Sequence, residues 1–122
     1  MSRAFEWMLK LVEMRRDRSV GQSKRARQEW ARSQEFTQQL QGYAAEYDQQ
    51  WTQVAQRGDT ALMLHTTSSF GDNLRGTAIA QAQETDKLQA HSQKLLQQAL
   101  QDTRRVEALQ NYMARQQSLR RA

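Results

Sequence analysis

The sequence predicts an all-α fold: two long helices paired as an antiparallel coiled-coil hairpin. Three observations predict it. Proline is absent and glycine occurs only five times in 122 residues, so little interrupts long helix. Two runs of core positions, spaced alternately three and four residues apart, fill the chain on either side of Gly58-Asp59. Folding the chain about that point brings the two runs into a complementary register.

The first run is Phe5, Leu9, Val12, Arg16, Ser19, Ser23, Ala26, Trp30, Ser33, Thr37, Leu40, Ala44, Tyr47, Trp51 and Val54. It predicts a first helix over about residues 3–57. Neither run contains a stutter, so both fit a left-handed supercoil. Gly58 suits the C-terminal stop of the first helix, and Asp59 or Thr60 the N-cap of the second, which places the turn at 58–59. Arg57-Gly58-Asp59 also spells an integrin-type tripeptide, but with no secretion signal ahead of it the turn reading accounts for it. The second run is Leu64, Thr67, Gly71, Leu74, Ala78, Gln81, Thr85, Leu88, Ser92, Leu95, Ala99, Asp102, Val106, Leu109 and Met113, predicting a helix over about 60–120. At about 1.5 Å per residue, each arm is expected to be about 80 Å long.

If position i faces position 118 − i, Phe5 meets Met113, Leu9 meets Leu109 and Val12 meets Val106, an apolar clasp at the terminal end. Arg16 then faces Asp102, which predicts an ion pair across the seam. Nearer the turn Leu40 faces Ala78, Ala44 faces Leu74 and Tyr47 faces Gly71, large opposite small. The middle of the seam is rich in Ser and Ala, so thin packing and local breathing are expected there, with Gly21 adding about 1 kcal/mol of helix weakness.

Hydrophobic content of 38% and mean hydropathy of −0.95 are too low for a globular core but adequate for a two-helix seam. No apolar stretch approaches the roughly 20 residues that span a bilayer, and no signal-peptide core is present, which points to a cytoplasmic protein. The absence of cysteine excludes disulfides and thiolate metal sites. The net charge of +5 is unevenly distributed: residues 1–35 and 87–122 carry an excess of Lys and Arg, and residues 36–86 an excess of Asp and Glu. A hairpin gathers the first two segments into a basic terminal end and leaves an acidic turn end.

Catalytic chemistry is poorly supplied. His65 and His91 lie far apart in sequence, and neither has a second His or a carboxylate three or four residues on, so no metal site and no cofactor is expected. Ser68 and Ser69 lack a readable base and orienting group, and Gly71 and Gly76 precede no phosphate-loop lysine. A two-helix hairpin also offers no concavity in which to desolvate a substrate. The reading is a non-enzyme.

Aromatic residues off the seam are a second signal. Phe36, Tyr43, Met63 and Phe70 occupy g positions, and in an antiparallel pair the two g edges flank one side. They form a stripe beside the turn half, over the seam residues Leu40, Tyr47 and Leu74. Such a stripe either widens the core or docks another protein. Trp7 is also off the seam, toward the other end.

Arg15, Arg16, Arg18, Lys24 and Arg25 cluster in sequence, and the register adds Arg104 and Arg105. Phosphate binding is one use of such a patch. Here the charges spiral around both arms, interrupted by Asp17, Glu29 and Glu107, with no stacking platform, so nucleic acid is not expected. A solvated face, or a tip that docks an acidic protein cavity, fits better. Membrane-surface binding is disfavoured because no strong apolar face stands opposite the basic one.

These residues resemble a known family. Phe5-Glu-Trp-Met-Leu followed by Val12-Glu-Met-Arg-Arg, then Leu40-Gln-Gly-Tyr43-Ala-Ala-Glu-Tyr47, matching Leu-x-x-Tyr-x-x-x-Tyr, are similar to the FliJ family. Phe70-Gly-Asp-Asn-Leu74 matches its Phe-x-x-x-Leu, and Val106-Glu-Ala-Leu109 with the basic tail also fits. The chain departs from the family in being shorter than usual and in carrying Arg75-Gly76-Thr77 where a better helix-forming stretch is usual. The resemblance covers nearly the whole chain and implies a part of the flagellar type III export apparatus, related to injectisome stalk proteins. It implies a hairpin whose terminal end enters the hexameric export ATPase and whose turn side contacts the cytoplasmic domain of the export-gate membrane protein, with export chaperones as further partners. Carried over, Leu40, Tyr43, Tyr47, Phe70 and Leu74, with Phe36 from the stripe, become the gate-binding residues. Arg15, Arg16, Arg18, Lys24, Arg25, Arg104 and Arg105 become the ring contact. The alternative is a basic coiled coil that associates with nucleic acid or serves as a scaffold.

Overall fold

A computed structural model describes residues 3–58 and 60–121. Helix α1 spans Arg3–Gln56 and helix α2 spans Ala61–Arg121, with no strand among the described residues, so the chain is an all-α helical hairpin. The link between them is built by two local devices. Arg57 donates its amide to both Gln53 and Val54 carbonyls, at 3.1 and 3.2 Å, and Gly58 donates to Ala55, tightening the last turn of α1. Gly58 then adopts φ 70°, a left-handed conformation that costs an L side chain about 1 kcal/mol or more, and α1 stops. Thr60 caps α2: its hydroxyl accepts from the Met63 amide at 3.4 Å and its carbonyl from the Leu64 amide at 3.0 Å. Asp59, the other expected cap, lies outside the described residues.

Every one of the thirty seam positions is buried or half-buried, which is what the three-four spacing requires of a coiled-coil interface. The helices divide into two compact units, Met1–Gln28 with Ala90–Ala122 and Glu29–Gln89. The terminal unit carries 14 basic and 5 acidic residues, a net +9; the turn unit carries 4 and 8, a net −4.

In the terminal unit, Val106, Ala26 and Ala99 are buried, and the Phe5 and Tyr112 rings meet at 5.5 Å. Asp102 is only 2% exposed, and here the expected ion pair is replaced. Arg16 turns to its neighbour Asp17, at 3.0 Å. Asp102 instead accepts a hydrogen bond from Ser19 and faces the guanidinium groups of Arg15 at 3.6 Å and Arg105 at 3.3 Å. The reason is desolvation. An Arg–Asp pair wholly inside the seam surrenders two hydration shells. A short serine fills the interior position, while two arginines reach Asp102 from the edges with their own side chains about half in water or more.

In the turn unit, Leu40 and Ala78 are buried, and the Ser- and Thr-rich stretch is hydrogen-bonded, not merely thin. The Ser33 and Thr85 hydroxyls lie 2.6 Å apart and those of Thr37 and Thr85 2.8 Å apart. Gln81 donates its side-chain amide to Ser33 at 3.0 Å, and Thr85 also donates to the Gln81 carbonyl of its own helix. Among the described residues no buried side-chain nitrogen or oxygen lacks a partner. Each satisfied bond contributes about 1 kcal/mol, so this layer holds the arms where leucine is missing. Ser33–Thr85 and Tyr47–Gly71 both obey the 118 − i register.

Candidate functional site

The turn unit builds an aromatic groove from both helices. Gly71 leaves room for the Tyr47 ring: a Cβ placed there would lie 3.0 and 3.1 Å from Tyr47 ring carbons, so any larger residue presses on the ring and shifts it by a few tenths of an ångström. The ring is fixed at its far end as well, because Tyr47 donates its hydroxyl to the Thr67 carbonyl at 2.7 Å. Phe70 packs on it with ring centroids 4.9 Å apart and planes tilted by 55°. Tyr43, one turn before Tyr47, and Leu74, one turn after Phe70, complete a depression of about 290 Å³ edged by Glu46 and Gln50.

Four of the six residues expected at the gate-binding patch thus come together: Tyr43, Tyr47, Phe70 and Leu74. Leu40 is buried in the seam and supports the patch from within. Phe36 is half exposed but does not line the groove. Tyr43 and Phe70 are 57% and 56% exposed, so the aromatic residues do not simply widen the core. Glu46 and Gln50 went unnoticed in the sequence although their spacing reveals them. Gln50 continues the g column of Phe36 and Tyr43, and Glu46 sits one turn from both Tyr43 and Gln50.

On the e flank of the same unit, Arg75 pairs with Asp48 across the helices and with Asp72 on its own helix. Its hydrogen bond to Asp72, together with the charge of Asp48, holds the guanidinium above its ordinary value. Thr77 bonds back to the Asn73 carbonyl at 2.9 Å, and α2 runs without a break through Arg75-Gly76-Thr77. The groove and the ionic tie therefore occupy the two opposite edges of the seam.

The expected ring-contact residues all belong to the terminal unit. Arg18, Lys24, Arg25 and Arg104 are exposed, Arg15 and Arg105 are exposed and turned toward Asp102, and Arg16 is half-buried. Arg15 and Arg18 share a shallow depression of about 470 Å³ with Met14, Ser19, Gln22 and Gln98. Asp102 cancels part of the charge of Arg15 and Arg105, leaving Arg18, Lys24, Arg25 and Arg104 as the cations most available to an acidic partner.

Among the described residues no group of three or more His, Asp or Glu side chains converges as a metal site, and no helix is long and apolar enough to cross a membrane. Fold and surfaces together define a small coiled-coil hairpin protein whose distinctive features are solvent-facing patches. Residues 1–122, the whole chain, match the family model described as flagellar FliJ protein. The chain belongs to the FliJ family and is a component of the flagellar export apparatus, a membership that fits a non-catalytic part. No curated protein and no solved structure matches the chain significantly.

Proposed function

We propose that the protein is an adaptor of the flagellar type III export apparatus that couples the hexameric export ATPase to the cytoplasmic domain of the export-gate membrane protein. It acts peripherally to the membrane export machinery, and export chaperones are its further clients. The observation that carries this reading is the solvent-open Tyr43–Tyr47–Phe70–Leu74 groove, in a different unit from the exposed cations. Exposed aromatic rings on a two-helix protein leave apolar surface in water, and binding removes that cost. Rings held by a fixed scaffold also lose little entropy on docking, which makes Tyr43 and Phe70 natural anchors. The net +9 of the terminal unit steers it toward an acidic cavity, the complement expected of a ring that accepts it.

The coupling role predicts that the protein stimulates ATP hydrolysis by the isolated export ATPase. Charge reversal by Arg18→Glu and Arg25→Glu is expected to abolish the stimulation, whereas Tyr43→Ala leaves it unchanged. Stimulation that survives charge reversal, or that needs Tyr43, contradicts the assignment of the basic unit to the ring.

A further inference from the structure

The first 25 residues of α1 carry a second apolar stripe that the hairpin does not use. Phe5, Leu9, Val12 and Arg16 face the seam. On the opposite side, Trp7, Leu11 and Met14 follow one another at i, i+4 and i+7, and at 100° per residue they fall within an arc of about 60°. They are 65%, 60% and 68% exposed, among the most open large apolar side chains of the terminal unit. Arg3, Lys10, Arg18 and Arg25 lie on or beside the same arc, and all four are exposed. Glu6 and Glu13 sit about 80° or more outside that arc; Asp17 sits about 60° outside it, close to Lys10, and is paired with Arg16.

We propose that this outer face of α1, from Arg3 to Arg25, binds the surface of an anionic phospholipid bilayer. No apolar face stands opposite a basic one here, because the apolar and basic residues share one face. The placement of the cations selects a bilayer over a groove in a protein. Arg18 follows Met14 by one turn in line with the apolar anchors, and Lys10 stands between Trp7 and Leu11 about 40° outside their arc, so a groove that swallowed Trp7, Leu11 and Met14 also has to take in charge at its end and along its edge. At a bilayer the long basic side chains extend sideways to the phosphate layer while the apolar groups sink below it. A tryptophan beside a cation is suited to the headgroup boundary. The face is also convex, one helix wide, and a fluid surface deforms around such a ridge. This binding requires neither the ATPase nor the gate, so vesicles alone test it, although Arg18 and Arg25 are shared with the proposed ring contact and the two surfaces compete for them.

The test is flotation of the full-length protein with vesicles of phosphatidylglycerol and phosphatidylcholine, compared with phosphatidylcholine alone. Flotation is expected only with the anionic vesicles, and it weakens as salt screens the cations. The variant Trp7→Ser/Leu11→Ser/Met14→Ser is expected to bind at least about tenfold more weakly with its helical circular dichroism intact, since these side chains stand outside the seam. A second measurement does not depend on the folding of that variant. Acyl-brominated lipid is expected to quench the wild-type fluorescence more strongly than that of Trp7→Phe, because Trp30 and Trp51 are half-buried in the seam. Equal binding to neutral vesicles, no flotation at low salt, undiminished binding by the folded triple variant, or quenching unchanged by Trp7→Phe overturns the proposal. Absence of flotation also leaves the stripe to a protein partner.

Discussion

The hydroxyl groups of Ser33 and Thr85 meet at 2.6 Å in the interior of the turn unit, at paired seam positions that leucine commonly fills in coiled coils. Thr37 and Gln81 join the same network, so one threonine coordinates three partners from both helices. Such a layer is directional where leucine packing is not, and a shift of one helix past the other leaves its members unpaired. It acts as a register lock.

Thr85→Val keeps the shape of the side chain and removes the shared hydroxyl. The expected result is a loss of about 1–2 kcal/mol in urea unfolding followed by circular dichroism, because Ser33 and Thr37 lose a buried partner. The triple variant Ser33→Ala/Thr37→Val/Thr85→Val is expected to recover most of that loss, since it removes the polar groups together. A triple variant less stable than Thr85→Val contradicts the network.

Asp102 and Arg16 separate in the same way. Asp102→Ala strips Ser19, Arg15 and Arg105 of a common acceptor at a 2% exposed position and is expected to cost about 2–3 kcal/mol. Arg16 makes its ion pair with Asp17 at the surface. Arg16→Gln is therefore expected to change stability by less than about 0.5 kcal/mol. Equal losses in the two unfolding curves point back to an Arg16–Asp102 pair.

The glycines divide by their surroundings. A Cβ at Gly76 meets nothing within 4 Å, so Gly76→Ala is expected to stabilise α2 by about 0.5–1 kcal/mol. At Gly71 the same methyl presses on a Tyr47 ring that is tied to Thr67. Gly71→Ala is expected to lose that gain and to disturb the near-ultraviolet signal of the aromatic groove. Gly58→Ala, at φ 70°, is expected to cost about 1 kcal/mol. Thermal melts of the three variants give the order.

The seam was legible because its three-four spacing runs unbroken through both helices, and all thirty predicted positions are withdrawn from solvent. Residues that pair one-to-one were legible too: Tyr47 with Gly71 and Ser33 with Thr85 follow from register alone. The partner of Asp102 did not, because register places backbones opposite one another but desolvation decides which side chain enters. Ser19, one turn away, is short enough to enter, and Arg16 is long enough to leave. The Ser- and Ala-rich middle of the seam read as thin packing because periodicity counts apolar surface, and the bonds among Ser33, Thr37, Gln81 and Thr85 depend on hydroxyl geometry that spacing does not carry. The outer stripe of Trp7, Leu11 and Met14 was obscured for a related reason. A heptad phase assigns one inward face, and a second face becomes visible only once the first is filled.

The central claim is that two separable surfaces make the protein a coupler. A crossed binding titration tests it most directly: wild type, Tyr43→Ala/Phe70→Ala and Arg18→Glu/Arg25→Glu/Arg104→Glu, each measured against the cytoplasmic gate domain and against the hexameric ATPase. The aromatic variant is expected to bind the gate domain at least about tenfold more weakly and the ATPase as wild type does, and the charge-reversed variant to show the opposite pattern. Loss of both partners by either folded variant contradicts the account.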